Sequence, residues 1–189
     1  MKTLLKGAVA ALTSLSMTAP AFANCFSLEQ FVQQPGPFYG TSIQLDGNTV
    51  LSLVPSQFWW DPATPATTPP NAEMLASNCF GASMGLFLNN TNLTVFIHQR
   101  EPNVKSIQMN FCDHGGHENV AANNANPPEF IGDIPNIPGV LMDPFMDPVQ
   151  VVTSLAPPEG KLVFEATGAY LDYMRAGGQE FIVSGFCIN

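Results

Sequence analysis

Asn92-Leu93-Thr94-Val95-Phe96-Ile97-His98 and Ser106-Ile107-Gln108-Met109-Asn110-Phe111 decide the fold. In the first, Leu93, Val95 and Ile97 alternate with Thr94, Phe96 and His98. In the second, Ile107, Met109 and Phe111 alternate with Ser106, Gln108 and Asn110. A period of two sends alternate side chains to opposite faces, so each segment is a strand with one buried face; a helix would repeat near 3.6. Working outward, Val149, Val151 and Thr153 form another such run, as do Leu162, Phe164 and Ala166, and then Phe181, Val183 and Gly185. Turn formers separate the runs: Asp46-Gly47-Asn48, Asn89-Asn90-Thr91-Asn92, Glu101-Pro102-Asn103, Pro157-Pro158-Glu159-Gly160 and Ala176-Gly177-Gly178. Many short strands with this punctuation predict an all-β chain folded as an antiparallel β-sandwich or jelly roll. Residues 59–71 and 123–148 break the pattern with repeated prolines, which cannot donate to a ladder. Both are expected to be long surface loops, serving either a ligand or the cover of a sheet edge.

Residues 1–23 read differently. Lys2 and Lys6 precede an apolar run over residues 7–17, and Ala21-Phe22-Ala23 supplies a small-residue cleavage site. That is the layout of a secretory signal peptide, leaving residues 24–189 as one domain. The apolar run is shorter than the roughly 20 residues a membrane span needs. The expected location is secreted, periplasmic or extracellular. After cleavage, Arg100, Lys105, Lys161 and Arg175 stand against fifteen acidic residues, a formal charge of −11. Such a chain has no basic footprint for nucleic acid and is repelled by an anionic lipid surface.

Cys25, Cys79, Cys112 and Cys187 all lie in the exported part. An even count in an oxidising compartment predicts two disulfides. Spacing alone does not choose among the three pairings. Joining Cys25 to Cys187 would tie the two terminal strands together and leave Cys79 with Cys112, and that arrangement is the one expected.

The densest polar cluster is Cys112-Asp113-His114-Gly115-Gly116-His117-Glu118-Asn119, which reads as a hairpin tip. Three readings compete for it. Zinc would use Cys112, His114 and His117 with Asp113 or Glu118, and an open position would serve a hydrolase or lyase. Calcium would use the oxygens of Asp113, Glu118, Asn119 and Asn123 with turn carbonyls. The plain reading is a polar turn. A second Gly-Gly turn, Gly177-Gly178-Gln179-Glu180, enters the final strand and reads as another hairpin. Trp59 and Trp60, with Tyr39 and Tyr170, are candidates for stacking on sugar rings of a polysaccharide or other cell-surface component. The chain has no phosphate-cradling loop.

Phe111-Cys112-Asp113-His114-Gly115-Gly116-His117-Glu118-Asn119 and Gly177-Gly178-Gln179-Glu180-Phe181-Ile182-Val183-Ser184-Gly185-Phe186-Cys187 resemble a group of exported bacterial jelly-roll domains, many of them in proteins with PEP-CTERM-type sorting tails. Ser184 stands where that group usually has Asp, and Asn189 ends the sequence without a sorting tail. The resemblance implies a jelly roll, and a carbohydrate-binding or calcium-stabilised module with Glu29 and Glu180 joining Asp113 as ligands. The expected function is therefore a secreted binding or matrix module. A metal-dependent hydrolase or lyase, or a self-assembling surface protein, are the alternatives.

Overall fold

Where alternation was clear, the strands form as expected. The computed structural model describes residues 24–100, 104–122, 126–142, 148–168 and 171–189. Residues 1–23, Asn123 and Tyr170 lie outside the described residues.

Two antiparallel sheets face each other. Across the first run β13 (Val140–Met142), β14 (Pro148–Ala156), β15 (Glu159–Ala166), β10 (Ser106–Asp113), β17 (Phe181–Ile188), β8 (Met84–Asn89), β7 (Asn71–Ala76) and β2 (Gly36–Pro37). Beyond β8, the free flank of β17 takes β1 (Asn24–Ser27). Across the second run β12 (Phe130–Gly132), β11 (Glu118–Ala122), β16 (Tyr173–Gly178), β9 (Thr91–Gln99), β4 (Thr49–Gln57) and β3 (Thr41–Gln44). A small separate ribbon pairs β5 (Trp59–Asp61) with β6 (Thr64–Pro65).

Eight strands wind as a jelly roll, with β8-β17-β10-β15 in one sheet and β9-β16-β11-β12 in the other. The chain passes between sheets at nearly every step. This corrects two local expectations. Asp113–His117 is not a hairpin tip, because β10 pairs with β15 and β17 while β11 pairs with β12 and β16. Nor do β16 and β17 form a hairpin, since they belong to different sheets. A turn built on Gly115 (φ 108°) and Gly116 (φ 110°) redirects the chain equally well within a sheet or between sheets. Local residues set the turn, and the distant partners of each strand decide where it leads.

The proline-rich stretches also carry more order than loops. Residues 59–71 hold the β5–β6 ribbon. Residues 123–148 supply β12 to the edge of the second sheet and β13 to the edge of the first, with Ile134 and Leu141 buried between them. This excursion therefore bridges the two layers on one side of the sandwich.

Between the sheets lie the residues the alternation put inside: Leu93, Val95, Ile97, Ile107, Met109, Phe111, Leu162, Phe164, Phe181 and Val183 are all buried. The rings of Phe111 and Phe181 stack with centroids 4.7 Å apart. Each fully buried phenylalanine contributes about 2–3 kcal/mol of transfer free energy. The disulfides pair as expected, Cys25 with Cys187 and Cys79 with Cys112. Cys25 lies directly opposite Cys187 in the β1–β17 ladder, with Cα atoms 4.0 Å apart. Bonds spanning 162 and 33 residues restrict the unfolded chain; the loop-entropy model values them at about 5 and about 4 kcal/mol.

Candidate functional site

The residues of the Cys112–Asn119 cluster divide into a buried pair and an exposed set. Glu118 and Asn119 open β11 and are closed to solvent. Glu118 lies opposite Gly132 on one neighbour and Gly178 on the other, so no cross-strand side chain crowds its carboxyl. A Cβ on Gly178 would stand 3.1 Å from Glu118 Cγ and 3.3 Å from Oε1. The backbone N–H of Ile134 donates to Glu118 Oε2 at 3.1 Å, tying the excursion to β11. Oε1 is buried with no hydrogen-bond partner. Burial, then the charge of Asp113, raise the Glu118 pKa to about 8, with Asp133 adding to the rise and the Ile134 N–H opposing it. The carboxyl is therefore neutral at pH 7, and its burial keeps a substrate away from it.

The other cluster residues do turn chemistry. Asp113 Oδ1 accepts the Gly115 N–H at 2.8 Å. His117 Nδ1 lies 3.6 Å from Asp133 Oδ1, both side chains being well exposed. The His114 N–H donates to the Glu180 carbonyl at 3.3 Å, and the His117 N–H donates to Gln179 Oε1 at 3.1 Å. His114, Gly115, Gly116, Gln179, Glu180 and Asn89 line a shallow hollow of about 320 Å³ where three turns meet. Glu29 serves elsewhere: its Oε2 accepts from the backbone N–H and hydroxyl of Ser83 at 2.8 and 2.7 Å, which lowers its pKa. Cys112 is in a disulfide and offers no thiolate. Among the described residues, no three His, Cys, Asp or Glu side chains gather in a way that could hold a metal ion.

Asn119 explains the position of the tryptophans. Its Oδ1 accepts the Trp59 N–H at 2.7 Å and its Nδ2 donates to the Trp59 carbonyl at 2.9 Å, so one side chain pairs with the strand as a peptide would. Asn92 Nδ2 also donates to Asn119 Oδ1, at 3.1 Å. Asn92 and Asn119 point away from the core, so the β5–β6 ribbon lies over one end of the second sheet's outer face. Trp60 is 40 % exposed and meets the buried Phe58 edge to face at 5.1 Å. Tyr39 is 87 % exposed, on the segment between β2 and β3.

Beyond the ribbon the same outer face carries a feature that the sequence reading missed. Register places Ser52, Phe96 and Tyr173 side by side on β4, β9 and β16. Val54, Thr94 and Arg175 form the next row, and Val50 with His98 the row on the other side. Phe96 stacks on His98 at 6.1 Å and 19°, and meets Tyr173 edge to face at 5.4 Å. The Arg175 guanidinium sits 5.5 Å over the Tyr173 ring, with its Nε 3.5 Å from Thr94 Oγ1. Thr94 Oγ1 in turn donates to Ser56 Oγ at 2.7 Å. Burial raises the Tyr173 pKa, with Arg175 and Thr94 acting against it. Phe96 is 37 % exposed and Val54 is 39 %. The signal was available: Thr94, Phe96 and His98 are the outward set of the strand whose inward set revealed the fold. An aromatic ring among them is an exposed apolar surface on a face with polar neighbours.

The described chain thus presents an exposed ring pair, Phe96 and His98, beside the buried Tyr173 and edged by hydroxyls and a guanidinium, with an aromatic ribbon at one end. Comparison with known protein families, curated proteins and solved structures finds no match.

Proposed function

We propose that this chain is an exported binding module that holds a carbohydrate polymer on the outer face of its second sheet. The observation that carries the reading is Phe96, an exposed ring stacked flat on His98 and flanked by Tyr173. Sugar rings present apolar C–H faces that pack on aromatic planes, while their hydroxyls need hydrogen-bond partners along the edges. Ser52 and Ser56, both half-buried on β4, offer those partners alongside. A rigid sheet suits the task, because little side-chain or backbone entropy is lost when a ligand settles on it. Export is supported by two disulfides and by the leader pattern of residues 1–23. No helix of the described residues is long and apolar enough to cross a membrane.

Affinity electrophoresis through gels containing single polysaccharides tests the reading. The protein is expected to be retarded by at least one polymer, and Phe96→Ala is expected to cut that retardation about tenfold, the loss of a stacking contact worth about 1–1.5 kcal/mol. Full retardation of Phe96→Ala, with its melting temperature unchanged, ends the assignment to this face.

A further inference from the structure

The mature region holds fifteen acidic and four basic residues, yet both of its arginines flank the aromatic stripe. Arg175 lies opposite Thr94 at one end. Arg100 follows β9 with the same outward parity as Thr94, Phe96 and His98, and is exposed. Six residues separate Thr94 from Arg100, roughly 20 Å at strand rise. Among the described residues neither guanidinium is ion-paired; the ion pair found there joins His117 to Asp133. At the Arg100 end the stripe runs into a hollow of about 220 Å³ lined by Gln44, Asn48, Val50, His98, Gln99 and Arg100.

Carboxylates lie near this strip: the exposed Asp172 adjoins Tyr173, its carbonyl accepting the Ile97 N–H at 2.9 Å. Glu129 is near enough for its charge to act on the Tyr173 hydroxyl. Asp46 caps the turn beside the hollow, accepting the N–H groups of Asn48 and Thr49 at 2.7 Å. The face nonetheless carries two fixed cations at the ends of an aromatic plate, in a chain whose other charges are mostly negative. A guanidinium matches a carboxylate in a planar, two-point geometry, and is weakly hydrated compared with an ammonium. From this complementarity we infer that the polymer held on the second sheet is a uronate-containing polysaccharide, its rings on Phe96 and its carboxylates on Arg100 and Arg175. The inference rests on the carbohydrate reading and narrows it. The acidity of the whole chain opposes a polyanion only at a distance, since salt screens charge beyond about 8 Å at 0.15 M.

The test is affinity electrophoresis at 0.15 M salt in two gels, one containing polygalacturonate and one a neutral β-glucan. Wild type is expected to be retarded more by polygalacturonate. Arg100→Gln, an exposed change that leaves the fold intact, and Arg175→Gln are each expected to weaken that retardation by about two- to fivefold, the range of solvent-exposed ion pairs. Arg100→Gln is not expected to alter behaviour in the β-glucan gel. Equal or stronger retardation by β-glucan, or polygalacturonate binding indifferent to both substitutions, overturns the uronate inference while the carbohydrate reading stands. Retardation by neither polymer overturns the uronate inference and leaves the broader reading to the other polysaccharides.

Discussion

Glu118 shows how much one residue can hide. In the sequence it is a carboxylate in a polar turn, a natural metal ligand. In the fold it begins an interior strand between two glycines, and its carboxyl anchors Ile134 while staying out of water. Its titration gives a signed prediction. The folded-state pKa, about 8, lies above the ordinary value of 4.5. Between those values the folded chain keeps a proton that the unfolded chain has lost. Stability from this group is therefore complete below about 4.5 and declines as pH rises toward 8, by up to about 1.4 kcal/mol per pH unit. Glu118→Gln keeps the acceptor for Ile134 and removes the titration. Melts from pH 5 to 9 should show a steeper decline for wild type than for Glu118→Gln; parallel curves would mean that Glu118 is ionised throughout. Nothing local in the sequence reveals this burial, because it depends on which strands come to lie on either side.

At the scale of elements, the legible parts were the strands with clean alternation, β9, β10, β15 and β17. Each buries the face that its period-two pattern assigns to the core, except that a bulge at Ser184 shifts β17, so Phe186 and Ile188 rather than Gly185 continue its buried face. The illegible parts were connections. The Gly115-Gly116 turn carries ordinary hairpin chemistry, yet it arches from one sheet to the other, a choice made by partners fifty or more residues away; Gly177 and Gly178, expected as a turn, stand instead inside β16, and the chain turns after them. The short strands β5, β6, β12 and β13 were hidden by neighbouring prolines, which tolerate edges and ribbons but not central ladders. The ribbon's hold on the sheet can be tested. Asn119 satisfies both backbone groups of Trp59, so Asn119→Ala leaves a donor and an acceptor without partners. A loss of about 2–4 kcal/mol is expected. Tryptophan fluorescence should shift toward the red at temperatures where the rest of the fold survives. An unchanged spectrum and melt would show that the ribbon is held by other contacts.

Over the whole molecule, topology explains why the outer face of the second sheet is the surface to examine. The jelly roll closes the core between two sheets and leaves each sheet with an outer face. On the second, β4, β9 and β16 bring together residues from widely separated parts of the chain: Ser52, Phe96, His98, Tyr173 and Arg175. The two disulfides, one between the terminal strands and one behind the 112–119 turn, hold that arrangement against unfolding outside a reducing compartment. Composition and cysteine count set the class of molecule. The position of the binding surface needed the register, because adjacency across strands is not written along any one of them.

Chemical-shift mapping locates that surface directly. Uniformly ¹⁵N-labelled protein is titrated with a soluble oligogalacturonate, and the amide resonances are followed. The perturbed amides are expected to cluster on β4, β9 and β16 around Ser52, Phe96, His98, Tyr173 and Arg175. Perturbations confined to the first sheet, or to residues 113–118, would place the ligand elsewhere and contradict the assignment.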